Sequence, residues 1–327
     1  MGFTIAKKLH AGPHQVFAMH RPSSDTTALK KLGGVNLVQG DLTDPASLEK
    51  ALKGIDVVIC TANTVSPATK NDTLKKVDVE GVQTLITLSK ASGVKQFIYT
   101  SAKSFGALDD TIPLKRAKKT IERHLFDSGI PFTIFQPTAF MDVYFPYFGT
   151  TLPVAAAEVS TVLRPFKFGN DYFEKIKNDM AEKNRFNVVG KGKSRCSLIT
   201  VDNVADFHAA AVDNPLAMKR VIEIGGPEPL SAMDVRRLFE EALGKTLTVK
   251  ATPLAVIWLM AKILAPFNPH AANLMSMNYA SAKTDMVVEN AADTAKEFGV
   301  TLQSAGAFIR AIINSNDKHS VHSPLPS

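Results

Sequence analysis

Cysteine is scarce in this chain of 327 residues, with only Cys60 and Cys196 present. The two stand far apart and outside any metal-ligand spacing. That excludes a disulfide framework and a cysteine-built metal site, fits a reducing compartment, and leaves neither thiol in a catalytic role. No secretory signal opens the chain, because Lys7, Lys8 and His10 interrupt its first apolar residues. A bilayer-length apolar run is also lacking. The longest candidate, ATPLAVIWLMAKILAPF (251–267), is broken by Lys262 and prolines and is too short to span a membrane. It reads first as a core helix, with a helix lying on a membrane as the alternative, so membrane association is not the leading expectation. Charge blocks are missing too. The densest basic groups, KRAKK (115–119) and KGKSR (191–195), read as solvated faces rather than a nucleic-acid patch. The net charge of +7 also suits anionic small ligands such as nucleotides. A composition of 45% hydrophobic and 21% charged residues is that of an ordinary soluble globular protein with an ample core. A cytoplasmic location is the expectation.

Up to Pro137 the pattern alternates. Gly2 opens an amphipathic helix closed by Gly12 and Pro13, followed by a strand over 14–21 and a short helix over 26–32. A strand over 35–41 precedes a helix over 45–54, for which Asp44 supplies the N-cap and Pro45 the first helical position. A strand over 56–62 leads to a longer helix over 72–92 that Gly93 ends. A strand over 95–102, a helix over 113–129 and a strand over 132–137 complete the series. Short apolar strands alternating with helices predict an α/β fold, a doubly wound, mainly parallel sheet whose ligand lies off the carboxyl ends of its strands. Residues 138–190 are rich in aromatics and show no clear alternation. Beyond them come a strand over 195–201, a helix over 202–214, a strand over 220–226, a helix over 230–244 and mostly helix thereafter. The expected division is a dinucleotide-binding core over 1–137 and a smaller, mostly helical substrate-side lobe over 138–314, interleaved with the last strands of the sheet. A disordered polar tail over 315–327 follows. Oligomeric state cannot be read.

Three segments carry a resemblance: VNLVQGDLTDPASLEKALKGIDVVICTA (35–62), GVKQFIYTSA (93–102) and AKKTIERHLFDSGIPFTIFQP (117–137). Together they resemble the NmrA-like branch of the atypical short-chain dehydrogenases/reductases, over residues 2 to about 250. That branch includes isoflavone and quinone reductases, redox-sensing regulators and an accessory subunit of respiratory complex I. The family opens with a strand and a G-x-x-G-x-x-G turn, and Gly2 matches the last of those glycines. The resemblance therefore implies an N-terminally shortened Rossmann-like core, with a gap beside the 14–21 strand where the family's first strand belongs.

The same resemblance assigns a cofactor site. Arg21, just past a strand and with no acidic neighbour, matches an arginine that pairs with a 2′-phosphate and so favours NADP(H) over NAD(H). The bland alternative is a solvated arginine. Asp41 and Leu42 match the pair that lies against adenine, although Asp41 also suits a turn. Thr61, Ala62 and Asn63 end the next strand, where small residues let the backbone approach pyrophosphate and ribose. Asn63 also suits a turn. Thr100 or Ser101 faces the same crevice, and Ser101 resembles the family's active-site serine. Lys118, four residues before Glu122 at the border of a buried helix face, matches the family's K-x-x-x-E lysine. It can hold the nicotinamide ribose, lower a hydroxyl's pKa or act as a base. Lys115 and Lys119 read as solvated. Pro137 and Thr138 match contacts to the nicotinamide. No metal site is expected.

Two departures stand out. Leu114 occupies the position, one turn before Lys118, at which the wider superfamily carries its acidic tyrosine, and Gln136 replaces an arginine of typical relatives. The leading expectation is an NADP(H)-dependent reductase transferring hydride to a small carbonyl or quinone-like acceptor. Lys118 and Ser101 would be its catalytic residues, and AFMDVYFPYF (139–148) either lines the acceptor pocket or packs the core. The rival, which Leu114 favours, is a non-catalytic redox sensor or a scaffold. The expected partner is a small-molecule acceptor, not nucleic acid.

Overall fold

The computed structural model describes residues 1–65, 67, 69–145 and 167–320. In chain order the first half runs α1 (Gly2–His10), β1 (Phe17–His20), α2 (Thr27–Leu32), β2 (Asn36–Gln39), α3 (Pro45–Ala51) and β3 (Val57–Cys60). A π-helical segment, Leu74–Gly81, then runs into α4 (Val82–Ala91) and is followed by β4 (Gln96–Thr100), α5 (Pro113–Ser128) and β5 (Phe132–Pro137). The second half holds α6 (Met141–Tyr144), α7 (Lys167–Lys183), β6 (Arg185–Val189), β7 (Arg195–Ser197), α8 (Val201–Ala211), β8 (Arg220–Ile224) and β9 (Pro229–Ser231). It ends with α9 (Ala232–Leu243), β10 (Thr248–Thr252), α10 (Leu254–Leu264), α11 (Pro269–Lys283), α12 (Ala291–Glu297) and α13 (Ala305–Ser320).

The expected doubly wound parallel sheet is present. Strands β3, β4, β5 and β8 pair in that order, all parallel. Strand β4 is buried along its whole length. One face packs on Leu48, Leu85, Ile86, Ile121 and Leu125, the other on Val204, Phe207, Ala211 and Phe298. That two-sided cover explains why β4 reads as an unbroken apolar run. Local signals hold where they have a mechanism. The Asp44 carboxylate caps α3 by accepting from the Ser47 backbone N–H, and Gly129 ends α5 with φ 71°, a left-handed turn that admits glycine without a Cβ penalty.

The sheet is divided. β1 and β2 form a separate parallel pair, and among the described residues no strand bridges β1 to β3. The gap expected beside the first strand is therefore seen. Helix α1 ties the pair to the second half through Lys8, which reaches Asp202 at 2.8 Å and Asp206 at 2.6 Å on α8.

The second lobe contains more order than the sequence pattern reveals. β6 pairs in parallel with β10, and β7 is antiparallel to β9. Two expectations are corrected. Helix α13 continues to Ser320, past the 315 boundary expected of a disordered tail, and residues 321–327 lie outside the described residues. Helix α10 is not a core helix. Only Ile257 and Ala261 are buried in it, and Val256, Trp258, Leu259 and Ile263 face outward.

Candidate cofactor and active site

The carboxyl ends of β3, β4 and β5 lie side by side, and the loops leaving them collect most of the expected site residues. A Cβ added to Gly2 would stand 3.6 Å from Thr61 Oγ1, so the start of α1 sits against the segment that follows β3. No acidic residue occupies the first turn of α1, which keeps its amide end suited to an anion. Asn63 makes a local turn, its Oδ1 accepting from the Val65 N–H at 3.2 Å.

Helix α5 supplies the chemistry. Leu114, Lys115, Ala117, Lys118, Ile121 and Leu125 are its buried residues. Lys118 is 4% exposed, donates from Nζ to the Thr100 carbonyl at 2.9 Å and lies 4.6 Å from the Tyr99 ring centroid. Burial pushes its ammonium below the usual lysine range, and the Asp78 carboxylate opposes that shift. Asp78 is itself buried, which raises its pKa. It accepts from Thr64 Oγ1 at 2.5 Å and from the Thr64 N–H at 3.3 Å. A buried lysine and a buried aspartate thus feel each other's charge beneath the crevice, each shifted by burial away from its charged form.

Beside them, the Ser101 hydroxyl donates to Glu122, whose Oε1 also accepts from Gln136 Nε2 at 2.8 Å. Gln136 therefore has a structural partner at the position where typical relatives carry arginine. Lys115 differs from its expected solvated state. It is 2% exposed and donates to the Ala102 carbonyl, and burial pushes its pKa down. Lys119 is exposed as expected, pairing with Asp109 and Asp110.

Thr100 and Ser101 point to opposite faces of the sheet. The Thr100 hydroxyl is 2.7 Å from His208 Nε2 in the core, while His208 Nδ1 is 2.7 Å from the Val204 carbonyl. With Nδ1 carrying the proton to that carbonyl, Nε2 accepts from Thr100. Only the Thr100 backbone then serves the site, as the acceptor of Lys118. Thr138 follows Pro137 at the end of β5. Its side chain donates to the Ser197 carbonyl at 2.5 Å, so it joins the two lobes. Leu42 is buried in the core beside Gly81. Asp41 turns its own loop by accepting from the Thr43 N–H at 2.8 Å and also approaches Arg21 Nε at 3.2 Å. Arg21 donates from Nη1 to both carboxylate oxygens of Asp72, so this arginine is held by two carboxylates, Asp41 and Asp72.

A cleft leads away from the end of β5. A small cavity bounded by Ala139, Tyr144 and Cys196 shares Tyr144, Ser194, Ala232 and Ser281 with a larger one of about 300 Å³. Asn187 and Asn278 line the larger cavity, and their Nδ2 atoms have no hydrogen-bond partner. Of the aromatic stretch 139–148, Ala139 and Tyr144 line cavities, whereas Met141 and Phe145 pack the core. Residues 146–148 lie outside the described residues. Burial raises both cysteine thiols, Cys196 to about 11, in keeping with unreactive side chains. Among the described residues no cluster of His, Cys, Asp or Glu is set to hold a metal ion.

The sequence profile of the NmrA-like family matches residues 1–307. The chain belongs to the NmrA-like family. It is similar to the photosystem II assembly factor Ycf39 of Trieres chinensis, 25% identical over 258 residues and covering 78% of this chain and 69% of that protein. It is likewise similar to the phenylcoumaran benzylic ether reductase POP1 of Populus trichocarpa, 25% identical over 263 residues and covering 75% and 72%. Among solved structures, an NADPH-dependent quinone oxidoreductase from Escherichia coli, complexed with NADPH, aligns with a TM-score of 0.65 at 18% identity over 95% of each chain. A nucleoside-diphosphate-sugar epimerase from Staphylococcus aureus aligns with a TM-score of 0.69 at 18% identity, over 94% and 95%. At such identities the structural likeness establishes the Rossmann-like fold. The NmrA-like relatives include both reductases and an assembly factor, so family membership leaves the reaction to be argued from the site.

In this NmrA-like chain two residues at the site escape a reading of the sequence, Asp78 and the buried state of Lys115, as does the core contact of Thr100 with His208. The first two carried signals. Asp78 sits between Val77 and Val79 in a segment whose helical neighbours are core residues. Lys115 lies three residues before Lys118, hence on the same helix face.

Proposed function

We propose that this chain is an NADP(H)-dependent reductase that passes hydride to a small carbonyl or quinone-like acceptor. The observation that carries the reading is Lys118, an ammonium buried at the carboxyl ends of the parallel strands, lowered in pKa and anchored to the Thr100 carbonyl. A nicotinamide dinucleotide fits the residues there. The start of α1 and Thr61–Ala62–Asn63 would hold its phosphates and ribose, Arg21 its 2′-phosphate, and Pro137 with Thr138 its nicotinamide. Bound there, the cofactor supplies the hydride. Lys118 orients the ribose end and stabilises negative charge that grows on an acceptor oxygen, with the nearby Asp78 charge helping to keep its ammonium protonated. Glu122 holds the Ser101 hydroxyl in place. The cleft past Tyr144 takes the acceptor, and the free amide donors of Asn187 and Asn278 suit a ligand rich in carbonyl oxygens. The family's named reductases support this reading, and the described residues contain no helix long and apolar enough to cross a membrane.

A second reading, a dinucleotide-binding sensor or scaffold without turnover, draws on Leu114. This side chain is packed against Phe105, Ile112 and Met286, and leaves no hydroxyl one turn before Lys118. NADPH oxidation followed against a panel of quinones and aldehydes separates the two. Turnover that Lys118→Met abolishes establishes the reductase, whereas dinucleotide binding without turnover on any acceptor establishes the sensor.

A further inference from the structure

Helix α10 is anchored by a single stripe. Ile257 and Ala261 are buried against Ala271, Leu274 and Met275. Met260 and Leu264 flank that stripe, half-buried against the same cluster. The opposite face, apart from Lys262, is apolar and exposed: Val256 is 44% exposed, Trp258 48%, Leu259 51%, Ile263 57% and, just past the helix, Phe267 85%. A helix that is apolar all round is normally enclosed, and a contiguous exposed patch of this kind marks an interaction surface.

Its chemistry selects among occupants. Lys262 is the one charged residue on the exposed face, and its Nζ lies 5.9 Å from the centroid of the Trp258 ring. No aspartate or glutamate stands anywhere between Glu241 and Asp285, a stretch that carries Lys245, Lys250, Lys262 and Lys283. Lys250 is answered by Asp179, which leaves the other three without a carboxylate from their own segment. A second copy of this chain is a poor match. A two-fold interface sets the face against itself, and the face holds no carboxylate to meet Lys262 as it is desolvated. An anionic lipid surface meets every feature. The aliphatic side chains enter the acyl boundary, Trp258 sits at headgroup level, and Lys262 extends to the phosphates. The span is too short to cross the bilayer, so the helix lies along it.

We propose that α10 and Phe267 form a docking surface that seats the protein on anionic membranes. This goes beyond the reductase reading and does not rest on it.

Trp258 is the chain's only tryptophan, so its emission reports on this face alone. The full chain is floated with vesicles of phosphatidylcholine and phosphatidylglycerol, and with phosphatidylcholine alone. The expected result is flotation with the anionic vesicles, a blue shift of Trp258 and its quenching by brominated acyl chains. Leu259→Glu with Ile263→Glu, both exposed and thus compatible with folding, should cut the bound fraction roughly tenfold or more without lowering Tm. Absence of flotation overturns the proposal, as does flotation that ignores lipid charge or leaves Trp258 unshifted. So does self-association in sedimentation velocity that the double variant abolishes while vesicles bind nothing, which would make the face a contact between copies.

Discussion

Arg21 donates to both carboxylate oxygens of Asp72, at 3.1 and 2.9 Å. The residue expected to read a 2′-phosphate is therefore already satisfied, with Asp41 as a second partner. A phosphate must compete with those carboxylates for Nη1 and Nε of the guanidinium. Arg21→Asp should weaken NADPH binding by roughly 1.5–3 kcal/mol, the worth of a charged hydrogen bond, and NADH less. Asp72→Asn should do the opposite and tighten NADPH relative to NADH. Titration calorimetry with both dinucleotides checks this, and equal changes for the two would show that Arg21 does not recognise the phosphate.

The three lysines of α5 should separate by burial. Lys118→Met should lower kcat by on the order of 10²-fold, as loss of an acid/base group does, and Lys119→Met should leave it unchanged. Lys115→Met frees the Ala102 carbonyl at the exit of β4 and should raise KM more than it lowers kcat. Steady-state kinetics on the three variants decides. Equal effects at Lys118 and Lys119 would return Lys118 to an ordinary helix lysine.

His208 should write a signature into the acid limb of stability. Burial lowers its pKa from 6.5 to about 4. The folded protein thus keeps it neutral while the unfolded chain takes up a proton as pH falls below 6.5. Stability is undiminished by this group above pH 6.5 and declines through the window down to pH 4, by up to about 3 kcal/mol. Denaturant melts at pH 7 and pH 4.5 on wild type and His208→Gln measure it. The variant should start lower, having lost the fit to Thr100, but should fall less with acid. Parallel declines would exclude His208 as the source.

Much of this was legible in the sequence where one physical rule acts alone. The alternation up to Pro137 and the Asp44 cap are local, and the structure reproduces them. Lys118 was placed at the border of a buried face because Ala117, Ile121 and Leu125 mark that face, and it is indeed enclosed. The failures occur where a pattern is degenerate. Gln96, Phe97, Ile98, Tyr99 and Thr100 are all buried, so no alternation shows which of Thr100 and Ser101 faces α5. Lys115 read as solvated because its charge outweighed its helical phase. Helix α10 is apolar except for Lys262, and composition cannot tell an enclosed helix from one awaiting a partner. Asp78 becomes notable only when folding brings it beside Lys118.

The division of the parallel sheet governs how the molecule opens. Among the described residues, strands β1 and β2 pair only with each other. The small cluster of Ala6, Val16 and Leu29 joins them to α1 and α2, and the Lys8 pairs with Asp202 and Asp206 and the Arg21–Asp72 pair tie this unit to the remainder. Such a unit has its own, lower opening free energy. Amide exchange at 17–20 and 36–39 should run ahead of that at 96–100 and 132–137, and exchange in step would contradict it. A dinucleotide spanning from Arg21 to Thr138 would clasp the two pieces, so its binding should appear as slowed exchange in β1 and β2, far from the nicotinamide end.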